Sequence, residues 1–142
     1  MDKSQLRQYR MLLRERDELA RKIEKLYQRI EQLPDVYDKV QASQDEFPFV
    51  EIHIPVKAKP PREAAQINHL IHLQEKRKAE AIRALIEIEE YIQTIEDSED
   101  RQIFEMIFLD GMTYREVGEE LHMDHSTIVK RVTRQLSPNS PK

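Results

Sequence analysis

Apolar residues recur at helical spacing in three blocks of the chain and at strand spacing in one. Between Ser4 and Leu33, a stretch without Gly or Pro, Leu12, Leu19, Ile23, Leu26, Ile30 and Leu33 follow one another in steps of mostly three and four. That is the heptad seam of a long amphipathic helix. Arg16 falls on the seam and Leu6 and Leu13 sit one place off it, so the first turns are expected to be exposed or frayed. Pro34 ends the helix, because it has no N–H to donate and clashes with the preceding turn. From Asp35 to Pro61 the period changes: Pro48, Pro55, Pro60 and Pro61 interrupt any helix, and Val50, Ile52, Ile54 and Val56 alternate as in a half-buried strand. No second strand is evident, so the segment is expected to lie extended over the helices, in preference to pairing with another copy of the chain. Pro61 in a first turn with Glu63 behind it opens a second long helix through about Ile95, striped by Ile82, Leu85, Ile88, Ile92 and Ile95. Two such stripes predict an antiparallel helical hairpin or coiled coil, and an all-α fold.

The last block is built of shorter pieces. Asp97-Ser98 caps a helix over Ser98–Leu109, whose Ile103, Phe104, Met106 and Ile107 would form one wall of a small core. Gly111 supplies a left-handed residue after it. Thr113 and Glu116 make a capping box, which starts a helix carrying Val117 and Leu121 on one face. Gly118, with no side chain, lets a second helix cross closely. His122-Met123-Asp124 reads as a turn, with Met123 inward and Asp124 better suited to capping than to base contact. The second helix, His125–Leu136, points Ile128 and Val132 inward and His125, Ser126, Val129 and Lys130 outward. The expected division is therefore a long-helix region 1–95 containing the extended segment 34–61, a helix-turn-helix unit 96–136, and a disordered tail 137–142.

The run GMTYREVGEEL followed by STIVKRV resembles the DNA-binding helix-turn-helix of sigma-70 region 4, over about a fifth of the chain. It departs from that family at His122, where the family usually has Gly; histidine accepts positive φ better than most residues. The wider layout, a leading helix, KVQASQDEFPFVEIHI, a second long helix and this C-terminal unit, is similar to small phage transcriptional regulators of the RinA and ArpU type. The resemblance implies double-stranded DNA as partner, activation of a phage late operon, and host RNA polymerase as a second partner. The chain has no promoter-melting or polymerase-core-binding parts of a full sigma factor. Candidate DNA-contacting residues are His125, Ser126, Thr127, Val129, Lys130, Arg131, Thr133 and Arg134 of the second helix, with Tyr114 and Arg115 at the start of the first. Lys130 and Arg131 project about 100° apart, which aims the first at base edges and the second at a phosphate. Tyr114 has two equal readings, packing over the helix start and contacting phosphate.

Composition narrows the alternatives. Of 142 residues, 39% are hydrophobic and 35% charged, a soluble helix-rich balance, and only two are Gly, too few for a glycine-rich nucleotide loop. Absence of cysteine excludes disulfides and thiolate metal sites. The N-terminus MDKSQLRQYR has no apolar run behind its charges, so the chain is expected in the cytoplasm of a bacterial host, neither secreted nor membrane-bound. A net charge of −4 hides an asymmetry: acids dominate from Glu96 to Leu121, whereas Lys130, Arg131, Arg134 and Lys142 face only Asp124 from His122 onward. The apolar seams also suggest a homo-oligomer, which would read two half-sites.

Other chemistry is weak in the pattern. His69 with His72, and His122 with His125, offer two nitrogens each, and two ligands are not a metal site. Glu87, Glu89 and Glu90 lie along a helix with nothing to supply a pocket or a base. No enzyme, metal or cofactor is expected. Two rival functions remain. A small terminase subunit also joins a helix-turn-helix to oligomerising helices, although it usually places the DNA-binding unit first. A helical interaction module would leave Lys130, Arg131 and Arg134 as solvated charges.

Overall fold

The structure, a computed structural model, describes residues 1–43 and 51–137, and of 37–43 and 51–57 the backbone alone. Pro48, Val50 and the expected tail beyond Ser137 lie outside the described residues. The fold is all-α in class: α1 (Lys3–Arg7), α2 (Tyr9–Gln32), α3 (Pro61–Gln93), α4 (Ser98–Phe104), α5 (Tyr114–Leu121) and α6 (His125–Leu136), with one β-hairpin between α2 and α3. It divides into two compact units, Met1–Glu18 with Lys78–Lys142, and Leu19–Arg77.

In the Leu19–Arg77 unit, Ile23 and Leu26 of α2 bury against Ile67 and Ile71 of α3, with Ile30 and Leu33 packed beside them. The start of α3 thus lies against the end of α2, as expected for an antiparallel helix pair. These positions of the two apolar stripes bury each other within one chain. Lys59 fixes the exit of α2: its Nζ donates to the Glu31 and Leu33 carbonyls, both at 2.8 Å, and pairs with Asp35 at 3.2 Å. A cation is well placed there, since the last carbonyls of a helix lack intrahelical donors.

The expectation of a lone extended strand is corrected. Strand β1 (Val36–Ser43) pairs antiparallel with β2 (Glu51–Ala58), in a register that sets Val40 opposite Ile54 and Ala42 opposite Ile52. The first strand, VYDKVQAS, carries Asp38, Lys39 and Gln41, which blur its period-two signal. Pro55 is tolerated opposite Lys39 because each strand of a two-stranded sheet has an edge where no donor is needed.

The other unit crosses the boundary drawn from sequence at residue 95. Leu6 and Tyr9 from the N-terminus and Leu85, Ile88, Ile92 and Ile95 from the α3 end share one core with Ile103, Phe104, Phe108, Val117, Ile128 and Val132. A small three-helix unit offers too little apolar area alone, so the helices before it complete its core. The N-terminal turns are not frayed. Asp2 and Gln5 form a capping box on α1, and Leu6, off the heptad seam, is fully buried. The chain re-phases at Gln8, between α1 and α2, which lets Leu6 face inward beside Tyr9 where a strict heptad would bring only Tyr9 inward. In α3 the inward stripe is Ala81, Leu85, Ile88 and Ile92, while Ile82 is exposed.

The helix expected over Ser98–Leu109 is α-helical only to Phe104 and then widens into a π-turn over Glu105–Leu109. Asp110 N–H donates to the Glu105 carbonyl at 3.0 Å, and Met112 N–H to the Met106 carbonyl at 2.9 Å. A wider turn delays the inward phase by about one residue. Phe108 therefore takes the buried place expected for Ile107, its ring centroid 5.3 Å from that of Phe104.

Leu6→Ala should lower the stability of this unit by about 2–5 kcal/mol, as for other fully buried leucines. Urea denaturation measures it; a change below about 0.5 kcal/mol would return the N-terminal turns to a frayed role.

Candidate functional site

Helices α5 and α6 and the connection between them are set by backbone chemistry that was legible in sequence. The Thr113 hydroxyl accepts from Glu116 N–H at 3.2 Å, and Glu116 Oε1 accepts in return from Thr113 N–H at 3.5 Å. Gly111 sits at φ +75°, in the left-handed region where a β-carbon is penalised. His122 closes α5 at φ 57°, ψ 44°, and the Gly118 carbonyl accepts both its N–H and that of Met123. The reason for Gly118 is the turn more than the helix crossing: a β-carbon there would stand 2.6 Å from the Met123 carbonyl oxygen and 3.7 Å from His125 N. Asp124 occupies the N-cap position of α6 through its backbone, but its side chain makes no cap hydrogen bond, contrary to the role expected of it.

Burial orients α6. Ile128 is fully buried and Val132 1% exposed, so the opposite side faces outward. His125, Ser126, Thr127, Lys130 and Thr133 are exposed there, and Val129 is half-buried. Arg115 is exposed at the start of α5. Tyr114 is half-buried and packs on the core edge, its ring 6.0 Å from that of His125 and under the Lys3 Nζ at 5.3 Å.

Two of the residues expected to contact DNA, Arg131 and Arg134, have partners inside the fold. Asp100, 2% exposed, holds Arg131 Nη1 at 3.2 Å with one carboxylate oxygen and Arg134 Nη2 at 3.1 Å with the other. Arg131 also lies 3.7 Å from Glu99 and 3.8 Å from Asp97, and only 26% of its side chain is exposed. The acids of α4 thus meet the basic half of α6 directly. Sequence reasoning noted both charge runs and missed that they face each other; the alternation of Asp97, Glu99 and Asp100 with buried Ile103 and Phe104 was the available signal. Arg134 keeps an exposed side chain, at 57%, whereas Arg131 is committed to the clasp.

A second group missed from sequence lies on the N-terminal side. Arg10 donates to the Leu109 carbonyl at 3.2 Å and runs beside Gly111. Arg7 and Arg10 line an open depression of about 290 Å³ with Met112, Thr113 and Tyr114. Among the described residues, no three His, Cys, Asp or Glu converge as metal ligands, and no helix is long and apolar enough to cross a membrane.

The fold and this surface define a helical protein whose C-terminal half ends in a buttressed helix–turn–helix. The chain belongs to the family described as "Protein of unknown function (DUF1492)", whose model matches residues 67–137, from within α3 to the end of α6. No curated protein and no solved structure matches it.

Two outcomes test this local account. His122→Gly should raise stability by about 1 kcal/mol, the cost of holding a β-carbon in the left-handed region, measured by thermal melting. Asp97 caps α4 by accepting Asp100 N–H at 2.9 Å, and that bond, with Arg131 nearby, holds its carboxyl below the ordinary 3.8. A lowered native pKa adds stability that is full above the ordinary carboxylate range and is lost as pH falls through the native value. Asp97→Asn should therefore be less stable than the parent at neutral pH, with the gap closing below about pH 4 in urea titrations.

Proposed function

We propose that the protein is a sequence-specific DNA-binding transcriptional regulator that inserts α6 into the major groove. The observation that carries this reading is the sidedness of α6. Two β-branched residues are locked into the core while His125, Ser126, Thr127, Lys130 and Thr133 stand on the free face, all but Thr133 in its N-terminal half. Side chains of that kind donate to and accept from base edges, and threonine adds a methyl for thymine. A helix held this rigidly loses little entropy on docking. The α5 start, with Arg115 exposed and Tyr114 beside His125, would cross the phosphate backbone.

The resemblance of GMTYREVGEEL and STIVKRV to sigma-70 region 4, and of the layout to RinA- and ArpU-type regulators, supports activation of a phage late operon through existing host polymerase in the bacterial cytoplasm. His122 takes the left-handed conformation for which that family usually uses Gly, so the substitution leaves the turn compatible with the resemblance. The clasp redistributes the roles assigned from sequence. Arg131 serves to fix α6, Lys130 reads bases, and Arg134 can share its exposed guanidinium with a phosphate.

A duplex selected from a random pool supplies the test. Lys130→Ala should cost about 1–3 kcal/mol on that duplex and relax sequence choice, with little effect on scrambled DNA. Arg131→Ala should instead lower the melting temperature. If the parent protein enriches no sequence and binds no duplex, DNA is not its partner.

A further inference from the structure

The clasp leaves a deficit of positive charge. Double-stranded DNA presents about one negative charge per 1.7 Å of axis, so affinity depends on several cations meeting phosphates. On α6, Arg131 is turned into the acids of α4 and Arg134 shares Asp100, which leaves Lys130 as the exposed cation not drawn into that cluster. Around α5, Glu116, Glu119 and Glu120 outnumber Arg115.

The N-terminal segment brings cations to the same place. Lys3 and Arg7, at i and i+4 of α1, and Arg10, in the first turn of α2, come to one face across the junction at Gln8, and the single acid among residues 1–14, Asp2, is spent capping α1 by accepting Gln5 N–H at 2.8 Å. The burial of Leu6 and Tyr9 fixes that face beside the start of α5. Lys3 Nζ lies over Tyr114, Arg10 is tied to the Leu109 carbonyl, and Arg7 and Arg10 share a depression with Thr113 and Tyr114. Tyr114 in turn touches His125, at the head of α6. The cations of α1 and of the first turn of α2 therefore adjoin the head of α6 through Tyr114.

Resting on the reading of α6 as the DNA-contacting helix, we propose that Lys3, Arg7 and Arg10 form a second phosphate-contacting surface that grips the backbone of double-stranded DNA beside α5. Charge complementarity selects the partner: a row of three cations matches a phosphodiester chain. This surface adds affinity without sequence preference, and it couples the N-terminus, outside the family match at 67–137, to the unit that carries α6.

The test uses the full chain with two duplexes, one mixed-sequence and one selected from a random pool, titrated over a range of salt. Lys3→Gln/Arg7→Gln should weaken binding to both about tenfold at low salt and reduce the salt slope by about two, near 0.9 per lost phosphate contact. The conservative exchange Lys3→Arg/Arg7→Lys should restore both, which separates charge from any loss of packing that thermal melting reveals. If affinity and slope do not change while Lys130→Ala still relaxes sequence choice, the proposal is overturned and α6 remains the reader. Lost affinity with an unchanged slope also overturns it, since the residues would then act on the fold alone. Parent protein that binds neither duplex overturns this proposal together with the reading on which it rests.

Discussion

A carboxylate removed from water must find cations, and Asp100 finds two. Its oxygens hold Arg131 and Arg134 while its backbone N–H is held by Asp97, so α4 grips α6 at a point next to the fully buried Ile103 and Ile128. Hydrophobic burial alone is non-directional and would tolerate α6 sliding or rotating on its neighbours. A doubly bonded buried carboxylate does not, because a rotation that separates it from either guanidinium leaves an uncompensated charge in the interior. The orientation of α6, and so the identity of the side chains on its free face, follows from that clasp together with the Ile128–Val132 stripe.

The same clasp reassigns charge. Basic residues that look available along the sequence are neutralised locally, and the outward face of α6 is polar more than it is cationic. On the proposed reading such a face suits hydrogen-bond readout, and attraction to a polyanion would come from elsewhere in the unit. The architecture accommodates this, because the N-terminal turns belong to the same compact unit as α4 to α6, packed against the end of α3.

Turn chemistry is where residue and role correspond most closely. Thr113 and Glu116, Gly111, Gly118 and His122 each act within a few residues of chain, and each sits where its side chain or lack of one requires. The π-turn at Glu105–Leu109 is the counterexample. Nothing in EMIFL is a poor helix former, and the widening appears where Phe108 is drawn beneath Phe104 and the chain must enter the Gly111 turn.

Local rules thus determined most of the helices, the caps at Asp97 and Thr113, the left-handed residues, the inward Ile128 and Val132, and the antiparallel contact of α2 with α3, because each depends on periodicity or on atoms a turn apart. Pairings between distant segments were beyond them. The partner of the Ile52–Ile54 strand carries a polar sequence whose alternation is visible only once the hairpin register is known. Leu6 reads as off-seam because a heptad assumes one unbroken helix, and the break at Gln8 is decided by the core that Leu6 enters. Whether Arg131 faces a phosphate or a carboxylate depends on Asp100, 31 residues away, and only packing brings the two to 3.2 Å.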